Sequence, residues 1–163
     1  MANTTMHLTV NGVPERCTIR PDDLLSDVLR RELRLTSVRP ETESGEIGTS
    51  TVLLDGAPVL ASLMLARQAT GRAVTTAEGI RGGDGGEHPL LRAFINHGVD
   101  KLDAAPGLLV AAAALLAANP RPTLEDVRRG LAGNVCRGTG YRHIVAAVCE
   151  AAAEIVNARE VRP

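Results

Sequence analysis

Residues 36–56 read TSVRPETESGEIGTSTVLLDG, and this stretch decides the architecture. Its second half, TVLL at 51–54, the turn Asp55-Gly56 and the following 57–60, forms a hairpin pattern, because Asp-Gly supplies the positive φ angles of a tight turn. Outward toward the N-terminus, residues 6–10 and 13–19 flank Asn11-Gly12, a second hairpin signal of the same kind. Between the hairpins, Pro21-Asp22-Asp23 opens a helix whose Leu24, Leu25, Val28, Leu29 and Leu33 recur at helical spacing. Beyond the second hairpin, residues 62–69 predict a short helix stopped by Gly71, and 73–76 a last strand. Strands around one helix give an α+β unit.

Residues 81–87 contain GGDGG, too glycine-rich to be ordered as helix or strand, and predict a linker. Four helices are expected after it: 89–97 led by Pro89, 108–118 led by Pro106-Gly107, about 123–129 capped by Thr123, and 142–156. Alanine runs at 111–114 and 151–153 predict either close helix approach or plain helix propensity. With 163 residues, 44% of them hydrophobic, and a net charge of -1, the chain can bury a real core. Scattered arginines and only two aromatic residues, Phe94 and Tyr141, argue against nucleic acid as a partner. The N-terminal residues lack an apolar targeting segment, and the longest apolar run, 108–118, is far short of a bilayer span; a soluble cytoplasmic protein is expected, with no membrane partner. Three cysteines, Cys17, Cys136 and Cys149, are odd in number and lack zinc-type spacing.

Taken with the frames DKLDAAPG at 100–107, GNVCRGTGY at 133–141, TTAEG at 75–79 and His88-Pro89, the opening stretch resembles the small iron-sulfur subunit of the molybdenum hydroxylases, the xanthine dehydrogenase and carbon monoxide dehydrogenase family. The resemblance implies a β-grasp, plant-type ferredoxin-like domain over 1–80, the linker at 81–87, and a four-helix domain over 88–163 that resembles the family's second cluster-binding domain. It also implies where two-iron clusters would be held. The first ligand set matches Thr42, Ile47, Ser50 and Ser62; the second matches Lys101, Ala104, Cys136 and Gly138. Only Cys136 of these is a cysteine, so no cofactor and no metal are expected, and with them no electron relay.

In the first loop the hydroxyls of Thr42, Ser44, Thr49 and Ser50 are expected to satisfy inward backbone donors, with Ile47 filling space; Glu43 and Glu46 read as solvated acids. At the second set Ala104 and Gly138 are smaller than cysteine and leave room; the resemblance implies that helices starting near Gly107 and Tyr141 point their positive ends toward it. Lys101, the only lysine, Asp103, Cys136 and Arg137 are the candidate catalytic residues; Asp100, Tyr141, Arg142 and His143 are candidate substrate-binding residues. The competing reading of Lys101 is a salt bridge to Asp100 or Asp103, and that of Cys136 a packed relic. His143 would serve Cys136 as a base only if the backbone folds them together. His7, His88 and His97 read as surface or capping residues. Three functions follow from this reading: a cofactor-independent enzyme acting on a small organic molecule by isomerisation, cyclisation, elimination or hydrolysis; an electrically silent subunit of a molybdenum-hydroxylase-like complex; or residual iron-sulfur electron transfer. The expected partners are accordingly a small-molecule substrate, and either a homo-oligomer or larger hydroxylase-like subunits.

Overall fold

The computed structural model describes residues 3–40, 45–82, 85–138 and 141–160. Two hairpins form where the sequence places them. β1 (Thr4–Val10) pairs antiparallel with β2 (Val13–Ile19), and β3 (Thr51–Leu54) with β4 (Ala57–Leu60). Their turns carry the positive φ angles that Asn-Gly and Asp-Gly tolerate, 51° and 83° at Asn11 and Gly12 and 50° and 85° at Asp55 and Gly56. β5 (Ala73–Thr75) lies between the hairpins, parallel to β1 and antiparallel to β3, giving the order β2-β1-β5-β3-β4. One face of this mixed sheet is covered by α1 (Leu25–Arg31), which buries Leu25, Val28 and Leu29 against Met6, Leu8, Val52 and Val74. The result is a β-grasp.

α1 is shorter than expected at both ends. The acidic pair does not lie inside the helix: Asp23 is buried, accepts from the Arg20 amide at 2.9 Å and is paired with Arg31 at 3.0 Å. Leu24 is extended and bridges to Leu65, so the helix can start only after it. At the other end Arg34 adopts a φ of 56°, which ends the helix before Leu33 is turned onto it. The same bridge splits the helix expected at 62–69 into two 3-10 turns, Ala61–Leu63 and Ala66–Ala69, because Met64 spends its carbonyl on the Leu25 amide at 2.8 Å.

Among the described residues four α-helices follow: α2 (Pro89–Asn96), α3 (Ala105–Ala118), α4 (Leu124–Gly130) and α5 (Arg142–Glu160). The His88 ring accepts from the Leu90 amide at 3.1 Å, capping α2, and burial holds its pKa below the ordinary histidine value. Thr123 and Asp126 form a reciprocal capping box at the start of α4. α3 starts three residues earlier than expected, with Pro106 in its first turn. Its Leu108, Val110, Ala111 and Ala112 pack against Leu90, Phe94, Val127, Ile144, Val148 and Ala151 in a second core, which Leu53, Ala77 and Ile80 from the sheet side also join. No helix among the described residues is long and apolar enough to cross a membrane.

Candidate functional site

The loop between α1 and β3 is closed by its own side chains. Thr49 Oγ1 donates to the Arg39 carbonyl at 2.6 Å, and the Arg39 amide donates back to the Thr49 carbonyl at 3.2 Å. Ser50 and Ser62, two positions matched to the family's first ligand set, bond to each other through their buried hydroxyls at 2.8 Å. Of the hydroxyls expected to accept from backbone donors, Ser50 Oγ does so, from the Ser62 amide at 3.4 Å, whereas Thr49 Oγ1 is a donor to a carbonyl. Thr42, Glu43 and Ser44 lie outside the described residues; Glu46 is exposed. Ile47 corrects the expectation. It is turned toward the helical half of the molecule, where it contributes to a second site.

That site is a cavity of about 400 Å³ between the loop before α3 and the segment before α5. Lys101, Ala104, Cys136 and Gly138, the four positions matched to the second ligand set, all lie on its wall, as do Asp103 and Arg137. Ile47, Leu102 and Val135 supply its apolar sides. Ala104 and Cys136 are buried at its base, 6% and 8% exposed, whereas Lys101, Asp103 and Arg137 are exposed at its rim. Asp103 pairs with Arg39 at 3.3 Å and not with Lys101, which removes the expected Lys101–Asp103 salt bridge. Neither Lys101 nor Arg137 has an ion-pair partner among the described residues.

The other proposed binding residues do not join them. Asp100, Tyr141, Arg142 and His143 are absent from the cavity wall, and His143 is exposed, so it is not placed as a base for Cys136. Ala104 at the start of α3 does border the cavity, as the helix-start argument expects; the start of α5 does not. Tyr141 has a supporting role instead. Held at a φ of 62°, it accepts from the Cys136 amide at 2.9 Å and donates to the Asn134 carbonyl, tying the cavity segment to the head of α5.

Sequence reasoning also passed over the seam that fixes this geometry. Asn134, 4% exposed, donates through Nδ2 to the Gly48 carbonyl at 2.8 Å and to Thr51 Oγ1 at 3.1 Å. The Val135 amide donates to the Ile47 carbonyl at 2.9 Å. A Cβ on Gly48 would stand 2.2 Å from the Gly133 carbonyl oxygen, and one on Gly107 would stand 2.4 Å from the Gly48 oxygen, so both glycines are required by close backbone approach. The only sequence signal for the seam is the Gly-Asn pair ahead of Cys136, which by itself names no partner.

The thiols are dispersed: Cys17 is in the sheet core, Cys149 packs against the helical core, and Cys136 borders the cavity. Burial raises the pKa of Cys17 and Cys149, which keeps both as thiols at neutral pH. Among the described residues no group of three or more His, Cys, Asp or Glu side chains is placed to hold a metal ion.

Residues 76–149 match the family model described as "[2Fe-2S] binding domain". The nicotine 6-hydroxylase small subunit of Paenarthrobacter nicotinovorans is 40% identical over 149 residues, covering 91% of this chain and 89% of that one. Among solved structures, quinoline 2-oxidoreductase from Pseudomonas putida 86 superposes with a TM-score of 0.88 at 35% identity, covering 99% of this chain and 100% of that chain. The aldehyde oxidoreductase of Desulfovibrio desulfuricans matches with a TM-score of 0.87 at 43% identity over 94% of this chain, which spans only 17% of that longer chain. Because a small subunit 40% identical is aligned along 89% of its own length, and a solved chain superposes along all of its own, the chain belongs to the family of small iron-sulfur subunits of the molybdenum hydroxylases.

Proposed function

We propose that this chain is a cluster-less, redox-inactive member of its family, and that the cavity is the site of cofactor-independent chemistry on a small organic molecule. One observation carries the reading: the four positions of the second ligand set surround open space and offer an amine, a methyl, a single thiol and a hydrogen. A two-iron cluster takes four soft ligands, and this donor set does not fit one. Nor does the first set, where Ser50 and Ser62 satisfy each other across 2.8 Å and Ile47 has an apolar side chain on the other cavity's wall.

Without a redox centre, the chemistry open to the cavity is acid-base or orienting: isomerisation, cyclisation, elimination or hydrolysis. Lys101 and Arg137 would hold and polarise an anionic oxygen, while Asp103 and the Cys136 thiol are the groups able to exchange a proton. Apolar walls would fix the reacting conformer. In the same reading residues 1–80 and 88–163 are separate domains joined at 81–87, and the protein works in the cytoplasm.

A second reading is an electrically silent subunit that docks to larger hydroxylase-type chains; the near full-length match to a protein named as a small subunit favours it. Anaerobic purification with iron and sulfide quantified tests the first claim. The expected result is a colourless protein with iron at background, whereas about two or four iron atoms per chain would return it to electron transfer. Obligate co-purification with larger subunits would support the second reading over the first.

A further inference from the structure

We propose that the cavity binds an organic monocarboxylate with an apolar body, the carboxylate at the rim between Lys101 and Arg137 and the body against Leu102, Ala104 and Val135. This rests on the reading of the cavity as a ligand site and narrows it to one chemical class.

Charge decides the class. Among the described residues three charged side chains border the cavity, and the one anion among these, Asp103, is already paired with Arg39 at 3.3 Å. Lys101 and Arg137 are left with no ion-pair or hydrogen-bond partner among the described residues, so the rim carries two uncompensated cations. A guanidinium offers a planar fork that matches a carboxylate, and an ammonium adds a point charge beside it.

Depth decides the rest. Below the cations the wall is apolar, and at its base Ala104 and Cys136 are nearly closed to solvent. Val135, 40% exposed, leaves a large apolar side chain uncovered at the edge of the same space. A volume of 400 Å³ falls in the range of small-molecule sites. Since exposed cations give modest Coulomb attraction, a bare small anion is not enough to bind well, and the apolar body supplies much of the affinity.

The test is calorimetric titration of the purified chain with 3-phenylpropanoate, 3-phenylpropanamide and acetate, in low and high salt. The carboxylate is expected to bind at least about tenfold more tightly than either control, and less tightly in high salt. Lys101→Ala and Arg137→Ala should each weaken it by about fivefold and reduce its salt dependence. Gly138→Val, whose Cβ would stand 3.1 Å from Leu102 Cδ2 and 3.9 Å from Cys136 Sγ on the cavity wall, should block binding while leaving the circular dichroism spectrum intact. If the amide binds as well as the carboxylate and Gly138→Val abolishes both, the anion assignment falls and the cavity reading stands. If the carboxylate binds equally well in Gly138→Val, or if neither phenyl compound binds, the cavity is not the site and both fall.

Discussion

Asn134 is the residue whose replacement discriminates best between a seam that holds the two halves together and a passive contact. Its amide nitrogen donates to the Gly48 carbonyl and to Thr51 Oγ1, at 2.8 and 3.1 Å, in a buried position. At about 1 kcal/mol net per buried hydrogen bond, Asn134→Ala should destabilise the chain by about 2 kcal/mol. For a protein of this size that corresponds to a fall of roughly 4–8 °C in Tm. Asn134→Asp should be worse. Thr51 Oγ1 already donates to the Gly48 carbonyl at 2.6 Å, so no donor is left for a carboxylate facing two acceptors, and about 3–5 kcal/mol is expected for the buried, unpaired charge. Urea unfolding followed by circular dichroism at pH 7 measures both. An Asn134→Ala variant within about 0.5 kcal/mol of wild type, or an Asn134→Asp variant no worse than Asn134→Ala, would refute the assignment of the seam to these bonds.

Gly79→Ala should cost about 1–3 kcal/mol, because its Cβ would lie 2.1 Å from Asn11 Oδ1, the atom that accepts from the Thr76 amide; pairing it with Asn11→Gly should recover part of the loss in the same assay. Tyr141→Phe should lower stability by about 1–2 kcal/mol through loss of its bonds to Cys136 and Asn134, and proteolysis should then cut first within the segment before α5. The Asp23 carboxyl is held below its ordinary pKa first by the Arg20 amide, then by Arg31. It therefore adds stability that is present above its unfolded value of about 4 and is lost as pH falls through the lower folded value. Asp23→Asn should flatten the acid limb of a stability-pH curve below about pH 4 while lowering the plateau at neutral pH.

Much of the fold was legible because its determinants are local. Asn11-Gly12 and Asp55-Gly56 specify their turns through φ, and both expected hairpins form across them. Thr123 and Asp126 cap α4 within four residues of chain. The failures at 22–24 and 62–69 share a cause. Whether residues 22–24 and 62–69 are helical is decided by the Leu24–Leu65 bridge, a contact forty-one positions apart that no local pattern encodes. The site divides in the same way. Lys101, Asp103, Cys136 and Arg137 were reached because two short frames place them, and both frames border the cavity. Arg142 and His143 rest on the expectation that the helix beginning near Tyr141 starts at this space, yet neither residue lies on the cavity wall. Ile47 and Arg39 join the site from the other half of the molecule, through packing that only the folded chain discloses.

The position of β5 has a consequence for when the protein can fold. Each hairpin closes on itself within a few residues, so both are able to form early and independently. They become one sheet only when the three residues of β5 enter between β1 and β3, and that pairing joins Thr9 to Ala73 across most of the sheet's sequence. During synthesis, a chain released before residue 73 therefore carries two hairpins with facing unpaired edges, the arrangement most open to mispairing between neighbouring nascent chains. Three residues arriving together bridge both edges at once.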